Sequence, residues 1–179
     1  MVADYRLDFG LVQVYTGDGK GKTTAALGQA LRAVGRGLRV YMAQFIKGQE
    51  SGEHLAAQRL CSYLTISQLG TGEFIINREP TEEELALAQA GWSEISQVVQ
   101  RGGYDLVILD EISHAVKVGL ITIEQVLGLI SKRPKHVEMI LTGRDMQAEL
   151  IAAADLVTEM RCVRHPYDRG LKVRKGIEY

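Results

Sequence analysis

A chain of 179 residues with 21 basic and 22 acidic side chains has the length of one domain, and at this size about 70% of the unfolded surface can be buried. A formal net charge of −1 and a pI near 6.4 give no electrostatic footprint for extended nucleic-acid binding or for an anionic bilayer surface. Cys61 and Cys162 lie in unrelated segments, the histidines are scattered, and no stretch has the apolar character of a signal or a span; a cytoplasmic protein with free thiols, no zinc, and no nucleic-acid or membrane partner is expected.

After a short arm over the first ten residues, Leu11, Val12 and Val14 read as a buried strand, and Ala25, Ala26, Leu27, Ala30, Leu31 and Val34 as a helix. Between them stands Gly17-Asp18-Gly19-Lys20-Gly21-Lys22-Thr23-Thr24, a phosphate-binding loop in the strand-to-helix context it requires. Glycines at 17, 19 and 21 are expected to curl the backbone through positive φ and to turn consecutive amides inward. The helix start adds its unpaired amides and the positive end of its dipole. Lys22 supplies a charge to the outer phosphates and the Thr23 hydroxyl a ligand for Mg2+. Thr16 stands where the common GxxxxGK[ST] pattern has glycine, so the match is to its relaxed form, and Lys20 adds a further charge.

Gly35 and Gly37 close the helix and residues 38–45 form a second strand, parallel to the first through a right-handed crossover. Loops at the carboxyl ends of parallel strands line the ligand crevice, which makes Gln44 and Lys47 candidates by position. A short helix at 55–61 and a strand at 64–69 follow. Phe74, Ile75 and Ile76 then read as core or as the wall of an apolar pocket, and their residue types favour core. Thr81 and Glu84 are spaced as a capping box for a helix reaching Arg101, with Leu85, Ala88, Trp92, Ile95 and Val99 as its core stripe.

Residues 104–111 form a continuous apolar strand ending in Asp110-Glu111. A phosphate-loop site needs such a carboxylate pair on the neighbouring strand, Asp110 for the magnesium shell and Glu111 for the metal or a reacting group. His114 fits neither a DExH nor an HExxH pattern and reads as a local hydrogen-bonding residue. A Thr122/Gln125 capping box opens a helix to Lys132, and the strand at 137–143 delivers Arg144 to the crevice, for a phosphate contact or an ion pair with Asp145. A short helix at 146–154 and a last strand at 155–163 precede a basic tail that reads as a solvated end. The alternation implies an α/β fold over residues 1–179: a three-layer, P-loop NTPase-like (RecA-like), mostly parallel sheet flanked by helices. A GTPase base-reading NKxD motif and the cysteines of a zinc-lobed kinase are absent; a P-loop ATPase or a nucleotide-sensing module stays open.

The segments GDGKGKTTAALG, RAVGRG, AQFIKG, LGTGE, YDLVILDEIS, LTGR and RHPYDRGLKVRKGIEY resemble, in order and spacing, the P-loop ATP:corrinoid adenosyltransferases acting on cob(I)yrinic acid a,c-diamide or cob(I)alamin. The resemblance implies that MgATP and a Co(I) corrinoid bind together, that cobalt attacks C5′ of the ribose, and that inorganic triphosphate leaves. It implies Lys22, Glu111 and Arg144 as catalytic residues and Thr23, Asp110 and Glu111 as holders of Mg2+. The nucleotide would be bound by residues 17–24, here Gly17, Asp18, Gly19, Lys20, Gly21, Lys22, Thr23 and Thr24, with Arg32 and His165. Phe74 and Lys47 become corrinoid contacts; GEFII stands where relatives carry an aromatic pair below the corrin. The resemblance also implies a homodimer and an electron-donating reductase as partner.

Overall fold

The computed structural model describes residues 6–46, 50–60, 63–70, 72 and 75–178. Strands and helices alternate: β1 (Val12–Thr16), α1 (Lys22–Val34), β2 (Val40–Gln44), α2 (Gly52–Arg59), β3 (Leu64–Gln68), α3 (Glu82–Arg101), β4 (Leu106–Asp110), α4 (Ile112–Lys117), α5 (Ile123–Lys132), β5 (Glu138–Thr142), α6 (Ala148–Ala152) and β6 (Leu156–Glu159), followed by a 3-10 turn at Pro166–Arg169. The Thr81 hydroxyl accepts from the Glu84 amide while the Thr81 amide donates to the Glu84 carboxylate. Thr122 and Gln125 do the same for α5, so both helices close their orphan N–H groups with the expected boxes. In contrast, α1 begins at Gly21, and no side chain caps its first amides. The six-residue α4 was not expected from the sequence; it is too short to show a helical period. No helix among the described residues is long and apolar enough to cross a membrane.

The strands lie in the order β3-β2-β4-β5-β1-β6, and every pairing is parallel. This is the expected α/β architecture with one correction: β5 intervenes between β1, which carries the loop, and β4, which ends in Asp110. The two strands are therefore not neighbours but about 10 Å apart at ordinary strand spacing. Lateral order depends on which strand is apolar on both faces, and Met139, Ile140 and Leu141 give β5 that character.

Successive residues serve opposite faces of the sheet. Val14, Ala43, Leu109 and Leu141 pack towards Trp92 and Ile95 of α3, Ile112 of α4 and Val126 of α5. Tyr15, Met42, Ile108 and Ile140 pack towards Ala26, Ala30 and Ala33 of α1 and Ala57 of α2. Trp92 is in the core as expected, its ring centroid 6.4 Å from that of Phe45. Leu31, one of the apolar residues that mark this helix in the sequence, is 63% exposed, because the inward stripe of α1 runs through alanines and the next position is turned about 100° away. The close approach of α1 to the sheet follows from those small residues.

The edge strand β6 is exposed at all four residues, yet it backs the phosphate loop. The Met160 amide donates to the Thr16 carbonyl at 2.8 Å, and the Gly19 amide donates to the Met160 carbonyl at 2.6 Å. Gly17 (φ 97°) and Gly21 (φ 124°) use the left-handed region as expected. Gly19 does not; it is needed for space, because a Cβ there would stand 2.7 Å from the Met160 carbonyl oxygen. Gly19→Ala is expected to lower stability by about 1–3 kcal/mol through overpacking. Denaturant unfolding should show a lower midpoint at unchanged slope, and a wild-type midpoint would mean that the Met160 backbone yields freely.

Candidate active site

The carboxyl ends of β1, β5, β4 and β2 gather most of the residues singled out in the sequence. Lys22 is buried, and its ammonium donates to the carbonyls of Gly17 and Gly19 at 2.6 and 2.9 Å. Burial pushes its pKa down; the Glu111 carboxylate is the largest charge acting the other way, Arg144 adds to the depression, and Asp18 and Asp110 oppose it. These five charged groups therefore share one electrostatic neighbourhood around the loop.

Asp110 is 1% exposed. Its Oδ1 accepts from the Thr23 hydroxyl at 2.9 Å and from the Thr142 hydroxyl at 2.7 Å, and its Oδ2 from the Gln44 amide at 3.2 Å. Thr23 thus spans from the start of α1, across β5, to the end of β4. Glu111 bends the chain with φ 58°, and its amide donates to the Thr142 hydroxyl at 3.0 Å. Thr142 is a site residue that motif reading passed over, although it closes the strand that delivers Arg144. Gln44 also donates to Glu53 at 3.3 Å, adding a carboxylate that no motif marked. Thr23, Asp110 and Glu111 offer a hydroxyl and carboxylates only, a donor set suited to a hard cation such as Mg2+. The described residues contain no group of three or more His, Cys, Asp or Glu able to hold a metal, so substrate oxygens and water would have to complete its shell.

Arg144 is exposed at the end of β5. Asp145 (φ 48°) pairs with Lys117 of α4 at 3.2 Å rather than with Arg144. The Arg144 carbonyl accepts from the buried Ser113 hydroxyl at 2.6 Å, which ties the β5 turn to α4. Asp18, Lys20 and Thr24 are exposed on the loop and α1. Arg32 bonds to Gln29 at 3.4 Å, about 15 Å along α1 from Lys22, so the structure does not bring it to the loop. The His165 Nδ1 accepts from the Tyr167 amide at 3.2 Å and caps the 3-10 turn. Lys47, Phe74 and Cys61 lie outside the described residues; Cys162 is an exposed free thiol.

Beyond Gln44 the character of the crevice changes. Phe45, Ile46, Leu69 and Ile75, with Glu84 and His114, line a mostly apolar hollow of only about 20 Å³, which shares Ile75 and His114 with an open cleft of about 850 Å³ bordered by Ile76, Arg78 and Lys117. Ile75 is core, whereas Ile76 is 66% exposed towards the cleft. Burial, with the Lys117 charge in support, holds the His114 pKa below its ordinary value and favours the neutral imidazole.

Comparison with known proteins adds to this geometry. Residues 8–179 match the family described as ATP:corrinoid adenosyltransferase BtuR/CobO/CobP. The chain is 36% identical over 179 residues to the corrinoid adenosyltransferase of Pseudomonas aeruginosa, covering 99% of this chain and 88% of the relative. It is also 36% identical to the corrinoid adenosyltransferase CobA of Salmonella typhimurium and 35% identical to that of Escherichia coli, in each case over 99% of this chain and 90% of the relative. With the phosphate loop, the Asp110-Glu111 strand end and the tail all inside the matched region, the chain belongs to the ATP:corrinoid adenosyltransferase family.

Proposed function

We propose that this chain binds ATP and a reduced corrinoid side by side and transfers the 5′-deoxyadenosyl group to cobalt, the reaction for which its family is named. The Co(I) electron pair forms the Co–C5′ bond, cobalt becomes formally Co(III), and the C5′–O bond breaks with its pair leaving on triphosphate. The observation that carries this reading is the join between a charged cradle (Lys22, Thr23, Asp110, Glu111) and, along one edge of the sheet, the mostly apolar wall starting at Phe45 that opens into the cleft of about 850 Å³. A polyanion to be released and a flat, largely apolar macrocycle require those two surfaces next to each other.

Lys22, with Lys20 and Arg144, takes up charge that develops on the leaving oxygen. Thr23, Asp110 and Glu111 would hold Mg2+, which when bound draws negative charge off the phosphates. Asp110 orients the Thr23 hydroxyl by accepting a hydrogen bond from it, which leaves the lone pairs of that oxygen directed elsewhere. The nucleophile belongs to the corrinoid, so no protein general base is assigned. Gly17 to Thr24 surround the phosphates; Lys47 and Phe74, whose neighbours Ile46 and Ile75 line the hollow, are proposed to meet the corrinoid. Arg32 and His165 are kept as candidate nucleotide contacts on the resemblance alone. A cytoplasmic homodimer supplied with electrons by a reductase completes the reading; exposed Leu156 and Val157 on β6 support self-association.

An anaerobic assay with MgATP and chemically reduced cobalamin should give the visible spectrum of the adenosylated product together with triphosphate. Steady release of orthophosphate without corrinoid would instead favour an ATPase. Lys22→Ala should lower kcat/KM by roughly 2–4 kcal/mol of transition-state stabilisation; turnover near wild type would remove Lys22 from the proposed role. Glu111→Gln should move the magnesium titration to higher concentration and reduce calorimetric magnesium binding in the presence of ATP, whereas an unchanged titration would place Glu111 away from the metal.

A further inference from the structure

Beyond His165, the basic tail has no task in the reaction as read above. It is exposed over most of its length, but its end returns to the phosphate loop. The Lys20 ammonium donates to the Ile177 carbonyl at 3.1 Å and to Glu178 Oε1 at 3.0 Å. The same Oε1 accepts from Arg174 Nη2 at 2.9 Å, while Oε2 accepts from Arg174 Nε and from the Arg174 amide. Two cations sharing one oxygen lie within about 6 Å of each other. A single carboxylate stands between them, so the trio carries a net positive charge at the mouth of the loop.

Donor capacity points the same way. An ammonium has three N–H donors and a guanidinium five; within this trio Lys20 spends two and the Arg174 side chain two. Both can keep Glu178 and still reach a further oxygen acceptor. The Arg174 side chain is 63% exposed and Glu178 only 20%, so the cation faces solvent and the carboxylate lies beneath it. With Lys20 counted in the trio, Lys22 and Arg144 face Asp18, Asp110 and Glu111 around the loop itself, and loop and trio together sum to zero. The tail thus adds no net charge to the site; what it adds is a pre-placed guanidinium with spare donors, a group suited to phosphate oxygens.

We propose that Arg174 is a phosphate-binding residue of the nucleotide site, carried to the loop by the bridge from Glu178 to Lys20, so that the tail forms the outer wall around the triphosphate. This rests on the nucleotide reading above. Glu178 acts through Arg174 and Lys20 and is a positioning residue.

The test uses the full chain and titrates inorganic tripolyphosphate and MgATP by calorimetry into wild type, Arg174→Gln, Arg174→Lys and Glu178→Gln. Of the two positions Arg174 is exposed and Glu178 partly buried, and thermal melts establish that each variant is folded. Tripolyphosphate lacks sugar and base and so reports on the phosphate site alone. Arg174→Gln should weaken it roughly tenfold, the loss of one charge-assisted contact. Arg174→Lys should restore part of the loss, and Glu178→Gln should weaken binding as well, because both cations lose their anchor. Wild-type affinity in Arg174→Gln, or tighter binding in Glu178→Gln, overturns the proposal; the second result would mean that the tail holds Lys20 away from phosphate. If the wild-type chain binds neither tripolyphosphate nor ATP, the nucleotide reading itself falls.

Discussion

The site depends on one buried carboxylate. Asp110 is removed from water, a cost of several kcal/mol for an unpaired ion, and the protein offsets it with neutral donors from three separate elements: Thr23 at the start of α1, Thr142 on β5 and Gln44 on β2. Because β1 and β4 are not adjacent, this carboxylate and not a strand pairing fixes the loop relative to the Asp110-Glu111 bend. Thr142 carries the tie further by accepting from the Glu111 amide, which helps hold Glu111 in a left-handed conformation that costs a non-glycine residue about 1–2 kcal/mol. Strain of this kind persists where the surroundings over-determine it. Here the surroundings are the two carboxylates and two threonines of one centre.

Lys22 shows how this network suits the proposed chemistry. Its ammonium is pulled in two directions, destabilised by burial and supported by Glu111, and it is satisfied by two loop carbonyls. A charge held this way has been largely desolvated before substrate arrives, so little reorganisation is left for the moment when negative charge grows on a departing oxygen. The arrangement stabilises an anion without needing a group that takes up a proton. It is compatible with phosphoryl transfer too, which is why the loop alone could not choose between an ATPase and an alkyl transferase.

What was legible in the sequence was local. The loop glycines at 17 and 21, the capping boxes at Thr81 and Thr122, and the strand ending in Asp110-Glu111 are specified by residues within a few positions of each other, and the structure has them where the spacing put them. What was not legible joins residues far apart. Gly19 reads as a conformational glycine until Met160 is found against it, and the tail reads as a solvated end until Glu178 is found on Lys20 across 158 positions. The place of β5 between β1 and β4, and the partnership of Thr142 and Gln44 with Asp110, are likewise set by lateral strand order, which no local pattern encodes. Leu31 marks the helix correctly but not its inward face, because hydrophobicity points to a face only loosely when the inward stripe is alanine.

The order of strands also suits the proposal that one edge serves two unlike substrates. Passing from β1 through β5 and β4 to β2, the crevice presents glycine amides and Lys22, then Thr142 and Asp110, then Gln44, and then the apolar hollow that begins at Phe45. Three strand spacings, about 14 Å, separate the phosphate cradle from that hollow. Attack at a ribose carbon requires the nucleophile and the leaving group on opposite sides of one atom, so the charged and apolar stations have to be distinct yet close. A wholly polar crevice would keep water around a reduced metal centre, and a wholly apolar one would leave the departing phosphates uncompensated. The neutral amide of Gln44 marks the change between the two, since it donates to Asp110 on one side and to Glu53 on the other without adding a charge of its own.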